Sequence, residues 1–194
     1  MKIILASASP RRRMLLAQAG LADFLTCEPL CDETAPEGAA PEETVRRLSQ
    51  AKAGAVAHRY GADDVVIAAD TLVCLDGRLL GKPRDGAEAA EMLARLSGRA
   101  HEVYTGVTVR RGAHVRTACE RTEVVFRPLT AAEIAAYVAS GEPMDKAGAY
   151  GIQGRGALIV ARVNGDFYNV MGLPLCRLGA MLAEFGVALL EGGR

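Results

Sequence analysis

Short apolar runs alternate with amphipathic stretches along the whole chain, the pattern of strands interleaved with helices. Met1-Lys2-Ile3-Ile4-Leu5-Ala6 predicts a short buried strand, and Val65-Val66-Ile67-Ala68-Ala69 is a continuous apolar run, as expected of a central strand covered on both faces. After the first of these, Ser9 is a favourable N-cap and Pro10 a favourable first helical residue, so a helix starts there and stops near Gly20. Residues 23–31 read as extended and residues 32–43 as an acidic, proline-containing loop. Val45, Leu48, Ala51, Ala55 and Val56 make the apolar stripe of a helix over about 42–59. Asp63-Asp64 mark a turn, and Asp76-Gly77 a two-residue hairpin loop between Leu72–Leu75 and Arg78–Leu80.

Residues 84–97 form the next helix, closed by Gly98, and strands follow near 102–110, 114–119 and 121–127. Thr130-Ala131-Ala132-Glu133 is a capping box that opens a helix ending before Gly141. Residues 141–156 are glycine-rich and irregular. A strand over Leu158–Val163, a turn at Asn164-Gly165 and an extended Phe167–Val170 lead into a last helix from about Pro174 to Leu190. Its stripe of Leu178, Met181, Leu182 and Phe185 is core or an oligomer face. Helical crossovers and hairpins in one chain predict a mixed twisted sheet with helices packed on it.

Composition narrows the function classes. A chain of 194 residues, half of them apolar, fits one domain or one domain with two lobes. Lys+Arg and Asp+Glu both number 23, so no general basic field exists for non-specific duplex binding; a local basic pocket is still allowed. No apolar stretch approaches a membrane span, and the N-terminus lacks a signal-peptide layout. Five scattered cysteines, without a CxxC pair, suggest reduced thiols in a cytoplasm.

Three clusters carry candidate chemistry. Ser7-Ala8-Ser9-Pro10 and then Arg11, Arg12 and Arg13 place cations in the first turn of a helix, the unfavourable end of its dipole. Backbone N–H groups, hydroxyls and guanidinium forks around one point suit a multiply charged anion. Asp70 ends the most apolar strand, where a carboxylate is paired, metal-bound or shifted in pKa, or else caps the strand end. The hairpin register sets Thr71 opposite Lys82, which leaves Lys82 one residue out of step with Asp70 unless the ladder is bulged at Gly81. Glu33 is a second acid, of interest because magnesium commonly takes one or two carboxylates plus phosphate oxygens. In the glycine-rich segment, Gln153 offers an acceptor and two donors in a plane, a match for the O4 and N3–H edge of uracil or thymine. His58, His101 and His114 stand alone and are assigned no catalytic role.

The stretches LASASPRR (5–12), DE (32–33), ADTLV (69–73), GKPRD (81–85), LSGRAHEVYTGV (96–107), SGEPMDKAGAYGIQG (140–154) and NVMGLPL (169–175) together closely resemble the Maf family of nucleoside triphosphate pyrophosphatases. The resemblance implies a single Maf-like domain over residues 1–194, with a mixed α/β sheet and flanking helices in two lobes around a central cleft, similar to the inosine triphosphate pyrophosphatases. It implies hydrolysis of a nucleoside triphosphate to the monophosphate and pyrophosphate, a divalent cation (Mg²⁺ or Mn²⁺), a cytoplasmic setting and compatibility with a homodimer. The family's general base maps onto Asp70. Its phosphate-binding groups map onto Ser7, Arg11 and Arg12, and Glu33 and Lys82 also match, with Glu33 and Asp70 as metal carboxylates. Arg11, Thr71 and Gln153 match the positions that select dTTP and UTP; Arg13 lies outside the family pair. Two other readings share the phosphate pocket: a nucleotide-sensing regulator of cell division, and a pyrophosphatase for a modified purine triphosphate. A nucleic-acid module is disfavoured by the neutral charge, the absence of Trp and the few aromatic residues.

Overall fold

The structure, a computed structural model, describes residues 1–32, 34 and 38–190. Seven strands form one sheet of order β2-β1-β3-β5-β6-β7, with β4 paired to β3. In chain order these are β1 (Ile3–Ala6), β2 (Leu25–Cys27), β3 (Val65–Leu75), β4 (Arg78–Leu80), β5 (Ala100–Arg111), β6 (His114–Phe126) and β7 (Val160–Asn164). The helices are α1 (Pro10–Gln18), α2 (Pro41–Ala57), α3 (Gly86–Leu96), α4 (Ala131–Ala139), α5 (Phe167–Val170) and α6 (Leu175–Glu184). The sheet is mixed, as the alternation of crossovers and hairpins requires: β1 pairs in parallel with β2 and β3, whereas β3/β4 and β6/β7 are antiparallel. Among the described residues no helix is long and apolar enough to cross a membrane.

The contacts divide the chain into two compact units. The first comprises residues 1–70, 105–120 and 172–194, the second residues 71–104 and 121–171. The first has a core in which Ile4 and Ala6 of β1, Val66 and Ala68 of β3, and Ala53 and Val56 of α2 pack together, with Tyr60 at the margin. The second is built around Val73, Leu75, Leu93, Leu96, Phe126 and Tyr150. Leu178, Met181 and Leu182 of α6 and Phe185 just after it are all buried, so that stripe is core.

Local signals place the elements. Ser9 caps α1 with Pro10 in the first turn, Asp85 caps α3, and Thr130 and Glu133 complete the capping box of α4. The Asp76-Gly77 loop joins β3 to β4 with Leu75 opposite Arg78, both loop residues having positive φ (52° and 74°) as such a two-residue turn demands.

Four expectations are corrected. The strand does not end at Asp70: β3 runs through it for 11 residues, since Thr71 and Val73 extend the β-branched pattern and keep it in the sheet. The strands expected at 114–119 and 121–127 are one, because Glu120 and Arg121 are met by Arg177 and Glu102 and their charges do not interrupt the ladder. Phe167–Val170 is a helical turn, opened by Asp166, whose carboxylate accepts the N–H of Tyr168. The last helix stops at Glu184, where Gly186 takes a left-handed φ of 78°.

Candidate functional site

In the first unit the site is a strand-to-helix turn beside a buried carboxylate. Ser7 Oγ accepts the N–H of Ser9 at 3.1 Å, and Ser9 Oγ accepts the N–H of Arg12 at 3.4 Å. Both hydroxyls thereby act as acceptors to shape the turn, and each retains an O–H to donate. Arg12 is half-buried and its Nε donates to the Gly172 carbonyl at 2.8 Å, which fixes the guanidinium plane. Arg11 is half-buried and Arg13 exposed. β1 and β3 run in parallel with Ala6 opposite Ala68. Continuing that register sets the turn after β1 alongside Ala69 and Asp70, at the carboxyl end of the β1 ladder, where parallel sheets place their ligands.

Asp70 is 7% exposed, and its Oδ1 accepts a hydrogen bond from Lys52 Nζ at 2.6 Å, with both side chains about equally buried. Among the described residues Oδ2 has no hydrogen-bond partner. Lys52 was not among the sequence candidates. The stripe assigned to α2 placed Ala51 and Ala55 inward, but Ala51 is exposed and Ala55 half-buried; the buried face carries Thr44, Val45, Leu48, Ser49, Lys52, Ala53 and Val56. A helix with polar groups inside needs partners for them. Ser49 Oγ shares a 2.9 Å hydrogen bond with Thr108 Oγ1, which shares another of 2.9 Å with Thr117 Oγ1, and Arg46 Nη1 donates to Thr117 O. Close approach of α2 to β5 is possible only because residue 106 is glycine: a Cβ there would stand 2.1 Å from Val45 O. The signal that was available is the spacing of Thr44, Ser49 and Lys52 among apolar neighbours, a polar line on one helix face.

The second unit brings Lys82 and the glycine-rich segment together. The β3/β4 ladder stops at Val73–Leu80, so Thr71 and Lys82 are not a ladder pair. Instead Gly81 O accepts the N–H of Gly148 at 3.0 Å, and Lys82 follows immediately with its side chain exposed. Gln153 sits on an exposed crest between buried Gly151-Ile152 and buried Gly156. Among the described residues its carboxamide has no hydrogen-bond partner.

The crest is held from below. Glu142 accepts three hydrogen bonds: from Tyr137 Oη at 2.8 Å, Arg155 N–H at 3.0 Å and Gly156 N–H at 3.1 Å. Tyr137 Oη in turn accepts the Gly151 N–H at 3.1 Å. Burial works against ionisation of Glu142, but the tyrosine hydroxyl and the two backbone N–H groups outweigh it and keep the carboxyl below the ordinary glutamate range. At Gly156 a Cβ would lie 1.9 Å from Gly151 O, so no other residue fits that position. Behind the loop, His101 Nε2 is 2.7 Å from Tyr150 Oη and both rings meet Phe126 edge-on. Burial pushes His101 down to about 4, so the imidazole is neutral, and it pushes the Tyr150 hydroxyl well up.

Glu33, the second expected carboxylate, lies outside the described residues. Among the described residues no cluster of three or more His, Cys, Asp or Glu surrounds a point. One carboxylate with an unpartnered oxygen nevertheless fits magnesium, which takes its remaining ligands from phosphate and water.

The profile of a family described as Maf-like protein matches residues 2–185. A dTTP/UTP pyrophosphatase of Symbiobacterium thermophilum is 53% identical over 193 residues, covering 99% of this chain and 98% of the relative. A dTTP/UTP pyrophosphatase of Moorella thermoacetica is 55% identical over 189 residues, covering 96% of each. Among solved structures, a HAM1 protein from Coxiella burnetii matches with a TM-score of 0.49 and 14% identity, over 95% of this chain and 99% of that one.

Proposed function

The chain belongs to the Maf-like protein family, and from that premise we propose that it hydrolyses dTTP and UTP to the nucleoside monophosphate and pyrophosphate. The observation that supports the reading is the parallel β1/β3 pairing, with Ala6 opposite Ala68, the capped, arginine-bearing turn following β1 and the buried Asp70 two residues further along β3.

The physical task is to bring water to a phosphorus screened by a highly negative chain. Ser7, Arg11, Arg12 and the N–H groups opening α1 bind phosphate oxygens, and Lys82 adds a further cation. Asp70 Oδ2 takes a proton from the attacking water. The water oxygen bonds to phosphorus, the α–β phosphoanhydride breaks, and pyrophosphate leaves. Lys52 holds the other oxygen of Asp70, so the carboxylate stays oriented through the step. Asp70 and Glu33 are the carboxylates that would hold a divalent cation beside the substrate phosphates, and such a cation would supply charge neutralisation. Thr71 and Gln153 act on the base, with Arg11 the third residue tied to that choice. Cytosine reverses the donor–acceptor edge at positions 3 and 4, so a site that pairs Gln153 with uracil leaves polar groups unpaired against CTP and rejects it.

The test is pyrophosphate release from UTP, dTTP, CTP and purine triphosphates, with Mg²⁺ and with chelator. Turnover of UTP and dTTP is expected, abolished by chelator and lowered by about 10²–10⁴-fold per folded molecule in Asp70→Asn. Near-full release by that folded variant would overturn the assignment of the base.

A further inference from the structure

We propose that Glu142, acting through Tyr137, is a positioning residue for base selection: it sets the loop crest that presents Gln153. The inference rests on the reading of Gln153 as the base-recognition group. Gln153 itself is exposed, and its side chain has no hydrogen-bond partner among the described residues to fix where it stands. Its backbone is fixed from both sides. Two residues before it, Gly151 N–H donates to Tyr137 Oη; two and three residues after it, Arg155 and Gly156 N–H donate to the Glu142 carboxylate. The Tyr137 hydroxyl joins the two anchors by donating to the same carboxylate. The N–H groups of buried Gly151 and Gly156 must find acceptors within the protein, so these donors stay gathered on the clamp only while its acceptors are there, and the exposed Arg155 N–H joins them.

The clamp is itself immobilised. Tyr137 is 6% exposed in the second unit's core. The Glu142 backbone carbonyl accepts from Lys146 Nζ at 2.5 Å, and Lys146 lies against Gly151, where a Cβ would come within 2.9 Å of its Cε. Pyrimidine discrimination depends on a carboxamide held to within a hydrogen-bond length. A crest freed at either anchor leaves the phosphate and water chemistry in place and removes the register of the amide against the base. Glutamine is a poor substitute at 142, since its amide nitrogen would face an N–H donor with no acceptor between them.

The experiment measures kcat and KM for UTP and CTP in wild type, Glu142→Gln, Tyr137→Phe, Gln153→Ala and the double variant Glu142→Gln/Gln153→Ala. Both clamp variants are expected to lower the UTP-to-CTP ratio of kcat/KM at least about tenfold, chiefly through KM for UTP, and leave CTP turnover within about twofold. The double variant is expected to match Gln153→Ala, because Glu142 acts through Gln153. Native-state tryptic cleavage after the exposed Arg155 is expected to accelerate in both clamp variants, a readout that also serves if one of them turns over too weakly to assay. A reduced Tm with an unchanged UTP-to-CTP ratio and unchanged cleavage after Arg155 would overturn the inference and leave Glu142 merely structural. A wild type without pyrimidine preference would instead defeat the reading of Gln153 on which it stands.

Discussion

Asp70 and Glu142 are both carboxylates withdrawn from bulk water, and they are satisfied in opposite ways. Glu142 receives three donors, all neutral, two of them backbone N–H groups. Among the described residues Asp70 receives one, from a lysine ammonium, on one oxygen. A carboxylate that receives donors on both oxygens, two of them from the backbone, is committed to fixing chain geometry. A carboxylate held at a single oxygen by a cation stays oriented and keeps a lone pair for a proton or a metal. The contrast fits the roles proposed above, scaffolding for Glu142 and chemistry for Asp70.

The strongest way to break that contrast is to remove the cation. Lys52→Met leaves a buried carboxylate unpaired, and a loss of about 3–5 kcal/mol is expected in urea unfolding at neutral pH. Lys52→Met/Asp70→Asn, with no charge left to bury, recovers most of that stability and none of the turnover. A single-variant loss below about 1 kcal/mol would mean that the pair is solvated and that Asp70 is not held as described.

The loop side is sharpened by pH. His101 is neutral in the fold, with its titration displaced from 6.5 to about 4 by burial. The unfolded chain therefore binds one more proton between those values, so the associated stability is fully present above pH 6.5 and is lost as pH falls toward 4. The expected decline is about 3 kcal/mol over that window, and His101→Gln should flatten it. An identical slope in the variant would assign the decline to other groups.

A smaller effect is expected of Gly106→Ala, whose methyl would stand 2.1 Å from the Val45 carbonyl oxygen. Lifting α2 from β5 should cost about 1–3 kcal/mol, or roughly 2–10 °C in Tm. It should also lower kcat, because Lys52 travels with the helix. A stability loss with kcat unchanged would separate the packing of α2 from the orientation of Asp70.

What could be read in the sequence was what depends on neighbours in the chain. Ser9-Pro10, Asp76-Gly77 and the Thr130–Glu133 box are decided within four residues, and all three stand as expected. The two apolar runs were legible as strands, but their parallel pairing was not. Lys52 was hidden because a lysine on a helix is ordinarily solvated; only an acid 18 positions away makes it an inward residue. Glu142 was hidden differently. Its donors are backbone groups, which carry no signature in side-chain pattern, and the glycines that make room for it looked like ligand contacts. Phe167–Val170 was misread because Phe167, Tyr168 and Val170 have a strand's composition, whereas the cap at Asp166 decides the turn.

One tether has a consequence for how the molecule is made. Arg12 Nε is anchored on the carbonyl of Gly172, 160 positions downstream. A ribosome adding about 5–20 residues per second needs roughly 8–30 s to bring that anchor into existence. For most of its biogenesis the nascent polypeptide therefore carries Arg12 without its Gly172 anchor, and the turn after β1 gains that tether only when the closing segment emerges.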